Sequence, residues 1–153
     1  MHGFARTVFI GALTAAILGL SGMATAEDEQ HAIGYRKATM QALGAHTKAT
    51  GALIKGEVSY EGHLARHTAG IASIGGMLGD LFPEGSDFGD TRALPAIWEK
   101  PDEFTKVVQA IRSASAALAD AGKGGDMQAV RAAFGGLGKA CKGCHEKFRE
   151  KKQ

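Results

Sequence analysis

Apolar side chains return at steps of three and four along four stretches of this chain, the spacing of one stripe on an α-helix. The first stretch covers residues 27–54, with Ile33, Arg36, Met40, Leu43 and Thr47 along its stripe. The second covers 60–80, with Leu64, His67, Ile71, Ile74, Leu78 and Leu81, and Ser59 placed to cap it. The third opens at Pro101 and carries Phe104, Val107, Ile111, Ala114 and Leu118. The fourth follows Asp126, a helix-capping residue, with Met127, Val130, Phe134, Leu137, Cys141, Cys144 and Phe148. Helix-end signals agree with this division. Glu27, Asp28 and Glu29 begin the first stretch, and Asp102 and Glu103 follow Pro101, so negative charge sits where a helix dipole is positive. Lys55-Gly56-Glu57 makes the first turn, and Gly122-Lys123-Gly124-Gly125 ends the third stretch. Residues 82–100 are irregular, hold Pro83 and Pro95 with Trp98 near their end, and have the length of a crossover. No segment alternates like a strand beyond a few residues, and there is no internal repeat.

Seams that alternate three and four predict an all-α fold, a left-handed four-helix bundle with one long crossover. Gly75, Gly76, Gly135, Gly136 and Gly138 fall inside predicted helices. Each costs about 1 kcal/mol relative to alanine, and close approach of a neighbouring helix or of a flat cofactor is the expected compensation.

Chemistry enters with Cys141-Lys142-Gly143-Cys144-His145. Two thiols three residues apart, followed at once by histidine, form the attachment signature of c-type haem. On a helix Cys141, Cys144 and His145 share one face, so two thioether bonds at one porphyrin edge hold the imidazole over the ring, where it can bind iron axially. A zinc site needs about four ligands, and no second cysteine pair exists. A thioredoxin-like Cys-x-x-Cys belongs at a helix start in a βαβ setting, and a plain disulfide has no need of the histidine. The expected cofactor is one haem c, bound near the C-terminus of the fourth helix.

The N-terminus predicts where attachment happens. Residues 1–26 have the form of a secretory signal: Arg6, an apolar run over 7–20, and Ala24-Thr25-Ala26 as the cleavage site. The run is short for a membrane span, and Gly19, Ser21 and Gly22 close it. Cleavage after Ala26 leaves residues 27–153 as one domain, exported to a bacterial periplasm with no membrane anchor. Of 18 basic residues only Arg6 lies in the leader, so 17 remain against 16 acidic ones, and nothing resembles a nucleic-acid footprint. The basic run 147–152, interrupted by Glu150, has the character of a solvated helix end.

Residues 27–153 resemble the cytochrome c′ family, including its low-spin, methionine-ligated relatives. The resemblance rests on Tyr35-Arg36-Lys37-Ala38-Thr39-Met40, on Lys55-Gly56-Glu57-Val58, on Leu81-Phe82-Pro83-Glu84-Gly85-Ser86, on Ala93-Leu94-Pro95-Ala96-Ile97-Trp98 and on the segment from Cys141 to Arg149. A haem motif near the C-terminus is the family's distinguishing arrangement. The resemblance implies that Cys141 and Cys144 hold the haem and that His145 is the proximal iron ligand. It implies a propionate contact for Arg36, with Lys37 beside it, and a haem-edge contact for Thr91 or Arg92. Arg149 falls where the family often carries a basic residue near the imidazole. Met40 falls at the distal position, and both a bound thioether and a methionine that only fills space occur there. The family also implies a homodimer through the first two helices, where Ala69, Ala72 and Gly76 permit close packing.

His67 is the other tempting ligand, although it reads better as a hydrogen-bonded core or interface histidine; His31, His46 and His63 read as surface residues. A peroxidase needs a distal acid–base residue, and the distal stripe offers Met40 instead, so no enzymatic activity is expected. Two functions remain. A six-coordinate haem with Met40 bound suits electron transfer with redox partner proteins, and an open sixth site suits binding of nitric oxide or carbon monoxide.

Overall fold

The computed structural model describes residues 26–151. The expected signal falls outside the described residues, except for Ala26. Four long helices carry the fold: α1 (Ala26–Lys55), α2 (His63–Met77), α4 (Pro101–Gly124) and α5 (Met127–Phe148). A one-turn helix, α3 (Ala96–Glu99), lies in the crossover between α2 and α4. Among the described residues there is no strand, only an isolated antiparallel bridge between Ala93 and Arg149.

Helix ends follow the sequence closely. Pro101 occupies the first position of α4, with Asp102 and Glu103 in the same turn. The Asp126 side chain accepts a hydrogen bond of 2.8 Å from the Gln128 amide and so caps α5. The second helix departs from expectation at both ends. Ser59 does not cap it: Tyr60 to Gly62 form a turn, closed by a His63 amide bond to the Tyr60 carbonyl, and α2 starts after Gly62 at φ 71°. That left-handed backbone suits glycine and leaves no place for a serine cap. At its far end the α-helix stops at Met77 and continues as a 3₁₀ turn, Leu78–Leu81, which turns Leu78 and Leu81 into the core.

Buried Ile71, Leu118, Val130 and Leu137 are at most 1% exposed and centre the core among α2, α4 and α5. α4 packs along both α2 and α5, and α1 packs along α2, whereas α1 and α5 meet only sparsely. The close seat of α2 on α4 depends on Gly75, since a Cβ there would fall 2.2 Å from Ser115 Oγ. Gly122, expected to help end the third helix, instead lies buried inside it, and a Cβ there would meet Thr68 Oγ1 at 2.3 Å. Gly76, Gly135, Gly136 and Gly138 have no described atom within 4 Å of the Cβ position, so close helix approach does not account for them.

The crossover is tied down rather than loose. The Leu94 amide bonds the Phe148 carbonyl at 3.0 Å, and the Glu150 amide bonds the Arg92 carbonyl at 2.8 Å. Trp98 Nε1 donates to the Pro83 carbonyl at 3.1 Å. Phe82, Phe104 and Phe148 form a chain of edge-to-face contacts with centroid separations of 5.0 and 5.3 Å, linking the crossover to α4 and α5.

Candidate haem-binding site

The sparse contact between α1 and α5 marks a cavity of about 720 Å³. That volume lies within the roughly 300–1,000 Å³ of small-molecule and cofactor sites. One wall is α1, through Arg36, Met40, Leu43 and Thr47. The wall across from it is α5, through Cys141, Cys144, His145 and Phe148. Phe104 and Ile111 of α4 form the apolar floor, and Phe82, Thr91, Arg92 and Ile97 of the crossover close one side. The seam residues Met40 and Thr47 stay only half-buried because they face this space instead of another helix.

Helical spacing brings the attachment triad together as expected. Both cysteines are free thiols, Cys141 half-buried and Cys144 buried. Burial pushes the Cys144 thiol up to about 11, with Cys141 adding to the rise and Arg149 opposing it. Burial raises Cys141 as well. His145 is shifted the other way, chiefly by burial and then by the positive charge of Arg149 and Arg92. The imidazole is therefore held neutral, the form that binds a metal. Arg149 approaches His145 Nε2 at 3.5 Å, matching the basic residue expected one turn on.

Arg36 is 4% exposed, and its guanidinium is engaged by the protein itself. It donates to the Leu81 carbonyl at 3.2 Å, to Ser86 Oγ at 2.8 Å, to the Ser86 carbonyl at 2.7 Å and to Thr91 Oγ1 at 2.8 Å. Its charge also lies over the Phe82 ring, 4.9 Å from the centroid. Four donors thus pin the crossover to α1, and Thr91 is an anchor for Arg36 as well as a lining residue. Lys37 pairs with Asp90 on the exposed rim, and Arg92 bonds the Glu150 carbonyl. With Lys48, which the sequence reading did not single out, five cationic side chains line the cavity against one carboxylate, Asp90.

His67 is not part of this site. It sits on the α1–α2 side of the bundle, its Nδ1 3.0 Å from Nδ1 of His46, in agreement with a hydrogen-bonded interface histidine. His46 itself is half-buried by this contact, and so is not the plain surface residue expected. His31 and His63 are exposed.

The donor set fits a haem. Two thiols and an imidazole share one wall, a thioether side chain lines the other helix, the interior is apolar and the rim is cationic. A flat apolar ring carrying two carboxylates matches that division.

The comparisons with known proteins agree. Residues 31–149 match the family model for cytochrome c′. The chain belongs to the cytochrome c′ family. It is 41% identical over 121 residues to the cytochrome c′ of Pararhodospirillum photometricum, covering 77% of this chain and 95% of that one. The solved cytochrome c′ of Shewanella frigidimarina superposes with a TM-score of 0.77 at 31% identity, over 83% of this chain and 100% of the other. A ferrous variant of the Alcaligenes xylosoxidans cytochrome c′, solved with bound NO, superposes with a TM-score of 0.72 at 28% identity, over 81% and 97%. This protein is accordingly a haem protein of cytochrome c′ type, built as the four-helix bundle of that family.

Proposed function

We propose that this chain is an electron carrier: Cys141 and Cys144 would hold one haem c through thioethers, and His145 and Met40 would supply ligands to its iron. The observation that carries this reading is the placement of Met40 on α1 in the same cavity as His145 on α5. When bound, the haem supplies reversible one-electron chemistry at its iron. The protein's own residues supply the rest. The thiols fix the ring edge to α5, burial and the two arginines keep the imidazole unprotonated, and Arg36 holds the wall formed by the crossover. With His145 and Met40 both held as ligands, the iron's surroundings would stay the same in both oxidation states, which suits transfer to redox partner proteins.

A specific observation favours a second reading. A cytochrome c′ similar in structure to this chain holds NO. In this reading Met40 fills space without bonding, and nitric oxide or carbon monoxide takes the sixth position. Optical spectra of the purified protein, oxidised and dithionite-reduced, with and without carbon monoxide, separate the two. Sharp reduced α and β bands and no response to the gas support electron transfer. A broad reduced spectrum that shifts with the gas sinks it in favour of gas binding.

Export to the periplasm follows from the leader-like residues 1–26. Intact mass should equal residues 27–153 plus one haem; any other start refutes the cleavage site. Pairing of two copies through α1 and α2 is supported by exposed Ala69 and Gly76. Sedimentation as a monomer at micromolar concentration would count against it.

A further inference from the structure

Three of the chain's histidines gather on the side of α1 and α2 away from the haem cavity, and none of them lines it. His46 projects from α1 and His67 from α2, with Nδ1 atoms 3.0 Å apart and ring centroids 5.3 Å apart at 62°. His63 stands one helical turn before His67, its ring centroid 6.2 Å away. Histidines at i and i+4 on one helix face are a standard chelating pair. Gly70 makes room for the cluster: a Cβ there would lie 2.8 Å from both Cε1 and Nε2 of His46. A side chain at that position would force the His46 ring to shift from where it lies across α2 and reaches His67.

The geometry points to a second metal site, separate from the haem, in which His46, His67 and His63 bind a divalent cation of the copper class. Two imidazole nitrogens 3.0 Å apart, each about 2.0–2.1 Å from a metal, subtend an angle of about 91–97° at it. That is the cis angle of a square-planar centre, which Cu²⁺ prefers, and all-nitrogen donors with Cu²⁺ give the tightest binding in the divalent series. Tetrahedral Zn²⁺ needs the pair to open by a few tenths of an ångström. As folded the two Nδ1 atoms share a hydrogen-bond proton that the cation would displace, and among the described residues no three such side chains are yet placed to hold a metal. His63 is exposed at the start of α2 and turns in as the third donor, and water completes the plane.

The test is a Cu²⁺ titration of the ferric, chelator-washed haem protein, followed by electron paramagnetic resonance and by competition with a chromophoric chelator. One Cu²⁺ per chain with hyperfine splitting from two or three nitrogens is expected. The His46→Asn/His67→Asn variant should bind at least about 100-fold more weakly, and His63→Asn about tenfold more weakly, given that loss even of a group supporting a ligand costs about 10–100-fold. Gly70→Ala should weaken binding by displacing the His46 ring, while His31→Ala leaves it unchanged. An unaltered Soret band in each variant shows that the bundle is intact. Equal binding by wild type and the double variant overturns the site, as does loss of the signal in His31→Ala or the absence of stoichiometric uptake by wild type.

Discussion

Replacing Arg36 with methionine tests whether the guanidinium is a structural clamp. Methionine keeps an unbranched stem beside Phe82 but offers no donor. The hydroxyls it leaves behind have other partners: Ser86 Oγ donates to the Pro83 carbonyl at 2.7 Å, and Thr91 Oγ1 accepts from the Ala93 amide at 3.1 Å. The Leu81 and Ser86 carbonyls lose the side-chain donor that reaches them. Each orphaned buried acceptor costs about 1–3 kcal/mol. Removing a buried charge, whose pKa burial already lowers, offsets part of that sum. The net expectation is a loss of about 2–4 kcal/mol, or roughly 8–15 °C in Tm for a domain of this size. Guanidinium chloride unfolding of the haem-loaded protein by far-ultraviolet circular dichroism measures it. Amide exchange should quicken first around Ser86 and Ala93. Ser86→Ala in both backgrounds closes a double-mutant cycle with a coupling of about 1 kcal/mol. A loss below about 1 kcal/mol with unchanged exchange in the crossover would refute the clamp and return Arg36 to the role of a propionate contact alone.

His145→Ala should leave the haem attached through Cys141 and Cys144 but shift the Soret band; an unchanged spectrum removes His145 as the proximal ligand. Gly75→Ala drives a Cβ to 2.2 Å from Ser115 Oγ and should cost about 1–3 kcal/mol as overpacking. Adding Ser115→Gly should restore part of that loss, and no recovery would show that α2 does not seat on α4 at this point. The lowered pKa of His67 means that the unfolded chain binds this proton more tightly than the folded one. Its contribution is therefore constant above about pH 6.5 and becomes destabilising as pH falls through that value. Denaturant midpoints at pH 8 and pH 5.5 should fall further for wild type than for His67→Asn, and parallel falls would contradict the assignment.

Local sequence was enough for the four long helices, because each keeps its apolar stripe in register and three of the helix boundaries carry strong local signals: Pro101 with its acidic turn, the glycines at the end of α4, and Asp126. It also determined the haem wall, since Cys141, Cys144 and His145 are neighbours along one helix face and need no long-range fold to meet. Local signals mislead at two places: Ser59, in a polar turn, resembles a cap, and Gly122 resembles a helix end. Long-range packing set the rest. Arg36 meets Ser86 fifty positions further along the chain, so nothing local marks that serine as its anchor. The same distance effect hid Lys48 at the cavity rim and the pairing of His46 with His67. In sequence Gly75 reads as a weakness in a helix, Gly122 as a helix end, and Gly70 carries no signal at all. Their reason is a neighbour from another helix pressed against the missing Cβ, and a contact of that kind exists only once the helices have packed.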